Sequence, residues 1–191
     1  MAPFIQKTVY SDPYVDYYNY AIDVRGRIIN AVSEMEEAID NYICSHFCYN
    51  RKRRGELREI IVSTKHLTFQ AKAEIFRCLL EKRKEATKSE AKKVITHLVD
   101  TIAKNRNIIA HAMLDPSGMW QFNSDRETIS FIKYANEKKT VSYKKTDIVK
   151  LLDLINAVKS LPLIIKSEKH TAKLIRKSQH ISPVSPRKKT K

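Results

Sequence analysis

The sequence predicts a mainly α-helical bundle with a small antiparallel β insert after its longest run of helices. Three observations carry this prediction. Apolar residues recur every three or four positions through most of the first 115 residues; only three glycines and six prolines occur in 191 residues; and aromatic and β-branched residues gather between Trp120 and Tyr143. The first is the helical period, the second leaves few breaks, and the third is strand composition. A chain of this length fits one domain plus a tail, with enough residues to bury a real core.

The elements follow in order. Ser11-Asp12-Pro13 offers a capping side chain ahead of a first-turn proline. Val24, Ile28, Val32, Met35, Ile39, Ile43 and Phe47 then form one face of a long helix that stops near Tyr49-Asn50, before Arg51-Lys52-Arg53-Arg54 and Gly55. Leu57, Ile60 and Ile61 fit either a short helix or an extended piece. Thr68 caps a helix with Phe69, Ala73, Phe76, Leu79 and Leu80 inward. Ser89 caps the next, whose buried side carries Val94, Ile95, Leu98, Ile102, Ile109 and Met113, and Asp115-Pro116-Ser117-Gly118 ends it. The segments 120–122, 128–134 and 140–143 read as strands of a meander or hairpin. Thr146-Asp147 caps a last core helix with Ile148, Leu151, Leu152, Ile155 and Val158, which Pro162 ends or bends. Weaker helical spacing persists to about Ile175, and there is no repeat of solenoid length.

The formal charge is +15, but residues 166 to 191 hold nine Lys/Arg against Glu168 alone, so over half of the excess sits in that segment. From Ser182 onward it has no apolar period and reads as disordered; it can strengthen binding to nucleic acid or only aid solubility. No apolar run approaches membrane-spanning length and the first residues lack a secretory pattern, so the expected location is cytoplasmic, with no membrane partner. Cys44, Cys48 and Cys78 are too few for a disulfide framework and are expected as free, buried thiols.

One segment breaks the apolar pattern. In Arg106-Asn107-Ile108-Ile109-Ala110-His111, polar groups crowd a helix shortly before its end. On a regular helix Asn107 and His111 share a face, whereas Arg106 and His111 are offset by about 140° and about 7.5 Å along the axis. Arg106 must therefore use its length to approach the imidazole, and a cleft between two helices, from one chain or two, would help. Guanidinium suits phosphate oxygens and the charge of a phosphoryl transition state, while imidazole moves protons near neutral pH. The pair can cleave RNA without a metal. His111 then assists 2′-hydroxyl deprotonation or leaving-group protonation, and Arg106 stabilises the phosphorane. The structural alternative pairs Arg106 with Asp100 or Glu74 and leaves His111 to satisfy helix-terminal carbonyls.

These residues resemble the Arg-polar-x-x-x-His signature of HEPN domains, in the Arg-Asn-x-x-Ala-His form, over roughly residues 14 to 161. The resemblance implies a helical domain, and together with the composition and charge above it sets the expected bounds at 1–165, with a β insert at about 119–145, and a basic tail over 166–191. It further implies a homodimer whose two motifs line one cleft, and metal-independent endoribonuclease activity in toxin–antitoxin, defence or RNA-processing systems, with an antitoxin or other protein as a further partner. Arg106 and His111 would be catalytic and Asn107 orienting, with no cofactor. Some domains of this fold bind without cutting, so a non-catalytic RNA-binding or protein-interaction module is the alternative. The strand-like insert departs from the simplest bundle.

Other candidates are weaker. Lys104 and the cluster Arg51, Lys52, Arg53 and Arg54 can contact RNA phosphates or stand as solvated charge. Cys44 and Cys48 share a helix face while His46 points elsewhere, and a zinc site would need further ligands from Cys78 or His66, so buried thiols are preferred. Tyr14, Tyr17, Tyr18 and Tyr20 suit packing or a dimer contact better than base stacking, and Trp120 is expected in the core. No phosphate-binding glycine loop is present, which argues against ATP-driven and nicotinamide chemistry.

Overall fold

The structure, a computed structural model, describes residues 12–63, 67–134 and 138–161. It is mainly helical, with a three-stranded antiparallel sheet of order β1-β2-β3. The expected weak helix beyond Pro162, the tail 166–191 and His66 lie outside the described residues.

Helix α1 (Pro13–Phe47) is the spine. The Asp12 carboxylate caps it by accepting from the Tyr14 amide at 2.9 Å, and the sequence stripe from Val24 to Ile43 is buried against the other elements. Phe47 escapes burial, because the helix ends there. Asn50 then caps a new helix, α2 (Arg51–Leu57), which runs into a π-helical turn (Arg58–Val62). The basic cluster is thus the first turn of a helix, and Gly55 lies within it. Leu57, Ile60 and Ile61 are helical, with Ile60 and Ile61 exposed and Val62 supplying the core contact. Helix α3 (Phe69–Lys82) is capped by Thr68 as expected and buries Ala73, Phe76, Leu79 and Leu80.

The motif helix begins earlier than the sequence suggests. Thr87, not Ser89, is its N-cap: the Thr87 hydroxyl accepts from the Glu90 amide and the Glu90 carboxylate accepts from the Thr87 amide, a capping box. Helix α4 (Lys88–Thr96), a π-helical stretch (His97–Ala103) and α5 (Lys104–His111) then run on as one rod, with helical dihedrals at both junctions. The wider turns rotate everything that follows relative to a regular helix. Leu98, Ile102 and Ile109 are buried, while Val94 and Ile95 are only half-buried. The rod ends at His111, so Met113 is not a buried helical residue; it is half-exposed in the short strand β1 (Met113–Leu114).

Residues 120–122 do not form a strand. After the Asp115-Pro116-Ser117 turn the chain makes a short helix, α6 (Gly118–Asp125), closed by Arg126 in the left-handed region at φ 54°. Burial on that helix falls to Phe122, held between Tyr17 and Tyr20 at 5.4 Å centroid separations, and Trp120 is 74% exposed rather than core. The remaining strands stand where composition placed them: β2 (Thr128–Tyr134) pairs antiparallel with β3 (Lys138–Lys144) and with β1. A last helix, α7 (145–161), buries Ile148, Leu151, Ile155 and Val158. The Asp147 carboxylate accepts from the Lys144 amide at 3.0 Å, so Asp147 takes part in the cap as expected, while the N-cap position is Lys144, two residues before Thr146.

Tyr17 ties three of these elements together. Fully buried on α1, its hydroxyl donates to the Asp115 carbonyl at 2.9 Å and accepts from the Ser130 amide at 3.2 Å. Gly118 is needed beside it, because a Cβ there would stand 2.5 Å from the Tyr17 oxygen and 2.9 Å from Ser130 Cβ.

Candidate functional site

Helix α5 is fastened at both ends. At its start the Asn105 amide donates to the Thr101 carbonyl at 2.8 Å, and its side-chain oxygen accepts from the Tyr143 hydroxyl of β3 at 2.8 Å. Burial pushes the Tyr143 phenol up to about 12, so it stays a donor across the ordinary pH range. At the other end Arg25 of α1 donates from Nη2 to the Ala112 carbonyl at 2.5 Å, with its guanidinium 5.1 Å from the centre of the Phe131 ring. A cation on terminal carbonyls is the favoured helix C-cap electrostatics. Here it comes from a residue 87 positions away, and Arg25 rather than His111 satisfies this carbonyl.

Between these anchors Lys104, Asn107, Ile108 and His111 follow the 3-4-7 spacing of one helical face and line a groove of about 490 Å³. Its other wall is Ala112, Met113, Ile132 and Lys133. The strand register explains this wall: Met113 pairs with Ile132, which brings Lys133 level with Ala112, the residue after His111. Lys104, Asn107, His111 and Lys133 are all exposed, so the groove offers an imidazole, an amide and two ammonium groups to solvent beside an apolar surface.

Arg106 is placed differently. It does not line the groove; its Nη1 donates to the Asn107 side-chain oxygen at 3.0 Å, while its Nε is buried without a hydrogen-bond partner. One carboxylate that feels its charge is Glu36 on α1, half-buried and also near Lys72 and Asp40. Burial raises the Glu36 pKa above its ordinary value, with Lys72 and then Arg106 pulling the other way. Neither partner suggested by the sequence holds Arg106: Glu74 pairs with Arg77, and Asp100 lines a separate cleft with Gln70. Asn107 therefore bridges the two halves of the motif. Its side chain accepts from Arg106 and faces the groove shared with His111.

The sequence cluster Arg51–Arg54 stands apart. Arg25 marks the groove on α1, and 22 residues of helix separate it from Phe47, about 33 Å at 1.5 Å per residue. Arg51, Lys52 and Arg53 are exposed, and Arg54 donates to the Cys48 carbonyl at 3.2 Å, bracing the end of α1. The cysteines differ from expectation too: Cys44 is buried, Cys48 half-buried and Cys78 exposed. Of the four tyrosines, Tyr17 and Tyr20 pack inward, while exposed Tyr14 and Tyr18 stack on each other at 6.4 Å.

Arg25, Glu36, Ile132 and Lys133 were not marked by the sequence, and Met113 was expected on the buried side of the motif helix rather than on the groove wall. Their relation to the motif depends on tertiary packing and strand register, and only the aromatic and β-branched content of 128–134 hinted that a strand would lie nearby. Among the described residues, no three His, Cys, Asp or Glu side chains gather as a metal site, and no helix is long and apolar enough to cross a membrane. No family model, curated protein or solved structure matches the chain.

Proposed function

We propose that the chain is a HEPN-type, metal-independent endoribonuclease whose α5 groove receives the RNA backbone. The observation that carries this reading is that Lys104, Asn107 and His111, three polar side chains on one face of α5, open into one groove with Lys133. The ammonium groups attract phosphate, and Ile108, Met113 and Ile132 give a ribose or base an apolar wall. His111 is exposed there as the group able to take a proton from a ribose 2′-hydroxyl. The resulting oxygen attacks the adjacent phosphorus, the bond to the 5′-oxygen breaks, and that oxygen takes up a proton. The products are a 2′,3′-cyclic phosphate and a 5′-hydroxyl.

Arg106 contributes through reach. Its guanidinium is linked to Asn107 and can swing toward phosphate oxygens at the groove edge, where added charge in the phosphorane would be met by a cation. In a homodimer, the second copy's motif would supply a second imidazole to protonate the leaving oxygen. A role in a defence or toxin–antitoxin setting follows from the family resemblance alone.

The placement of Arg106 outside the groove favours a second reading, a non-catalytic RNA-binding or protein-interaction module in which Arg106 is structural. Cleavage of labelled single-stranded RNA and tRNA in EDTA separates the two. The first reading predicts cyclic-phosphate ends that disappear in Arg106→Ala and His111→Ala variants with unchanged circular dichroism. Binding without cleavage establishes the second.

A further inference from the structure

At the far end of the sheet, the register sets Lys133 of β2 directly opposite Lys139 of β3. Both side chains are exposed, and neither forms an ion pair with a described carboxylate. Like charges directly opposite on a ladder repel, with Cβ atoms about 4.5 to 5.5 Å apart, so this placement works against hairpin stability. The other cross-strand neighbours show ordinary sheet complementarity: Ser130 and Ser142 share a hydrogen bond at 2.8 Å, and Phe131 meets Val141 in the core. By the two-residue period Lys133 shares a face with Phe131, and Lys139 with Val141, so both lysines stand on the same side of the paired strands. Lys133 also lines the groove, on the wall facing Lys104 and His111.

We propose that Lys133 and Lys139 form a phosphate-binding subsite for the RNA strand that occupies the α5 groove, gripping the backbone as it leaves the imidazole. The inference rests on the proposed function for the identity of the ligand, and adds a second contact region on an element outside the motif. An anionic backbone between the two ammonium groups relieves their repulsion. The free hairpin is therefore poised for phosphate. Recognition of this kind is independent of base sequence and strongly salt-dependent.

The test measures binding of a 2′-O-methyl RNA oligonucleotide, which lacks the attacking hydroxyl, by fluorescence anisotropy over a salt series. The full chain is compared with a Lys133→Gln/Lys139→Gln variant and a Lys92→Gln/Lys93→Gln control, whose exposed lysines lie roughly 25 Å up the rod from His111. Two phosphates lost from single-strand binding lower the slope of log K against log salt by about 1.4, or about 25-fold in affinity at 0.1 M relative to 1 M salt. The proposal expects that loss in the hairpin variant and a far smaller one in the control. Equal affinity and slope in wild type and hairpin variant overturn it, as does an absence of RNA binding by the wild type. Cleavage of the matching unmodified RNA reports separately on the proposed function. A wild type that cuts, with a hairpin variant of unchanged affinity, removes only the subsite; hairpin-dependent binding without cutting removes only the nuclease.

Discussion

Replacing Tyr17 by Phe removes a single oxygen, yet that oxygen joins α1, β2 and the turn after β1. Without it the Asp115 carbonyl still accepts from the Gly118 amide at 3.1 Å, but the Ser130 amide loses its acceptor inside the protein. An unsatisfied buried amide costs about 1 to 3 kcal/mol, and the lost donation to Asp115 adds about 0.5 to 1.5 kcal/mol. We expect about 2 to 3 kcal/mol in total. For a chain of this size that lowers Tm by about 4 to 12 °C. Gly118→Ala perturbs the same point from the other side, since its Cβ would meet the Tyr17 oxygen at 2.5 Å; overpacking of this kind costs about 1 to 3 kcal/mol. The two substitutions must interact. With the oxygen gone the closest clash disappears, so the double variant should be less destabilised than the sum by about 1 kcal/mol. Urea denaturation followed by circular dichroism gives all three values. A Tyr17→Phe change within about 0.5 kcal/mol of wild type, or full additivity with Gly118→Ala, would refute this account of the junction.

The other predictions concern charge and exposure. Lys72→Met should destabilise by about 3 to 5 kcal/mol, because it strands Asp40, which is buried at 2.9 Å from the lysine and has a second oxygen already unpartnered; Asp40→Leu in the same chain should restore much of the loss in urea melts. Glu36→Gln should act oppositely. Its carboxyl is held above its ordinary 4.5 chiefly by burial, so its contribution to stability is complete at low pH and is lost as pH rises through the folded-state value. The variant should thus be more stable than wild type at neutral pH and match it on acidification, as urea melts across pH will show. A native-state thiol titration should find Cys78 reacting at once and Cys44 only on unfolding.

Much of the fold was readable because it depends on local period and caps. The stripe from Val24 to Ile43 and the Thr68 cap need no knowledge of neighbours, and the strand 128–134 was found from β-branched and aromatic content. What failed depends on packing. Trp120 to Phe122 has strand-like composition, but one aromatic, Phe122, fits between Tyr17 and Tyr20, and a helical turn delivers it there. The π-helical stretch from His97 to Ala103 left no mark in the apolar spacing; its register is fixed only when Leu98 and Ile102 meet the core. At the candidate site the sequence identified Lys104, Asn107 and His111 as residues that do share a groove. It could not place Arg106 toward Glu36, nor bring Lys133 into the groove with His111, since those relations follow from how α1 and β2 pack against α5.

The central claim is that chemistry on RNA occurs in the α5 groove, and the most direct measurement is single-turnover cleavage of one end-labelled RNA by wild type, His111→Ala, and a chain with Arg51, Lys52, Arg53 and Arg54 all changed to Gln. Loss of a general acid–base group lowers the rate by about 10²- to 10⁴-fold. The account predicts that loss in His111→Ala, with the cleavage rate at saturating enzyme retained in the α2 variant. Full activity in a folded His111→Ala chain, or cleavage abolished only by the α2 changes, would contradict it.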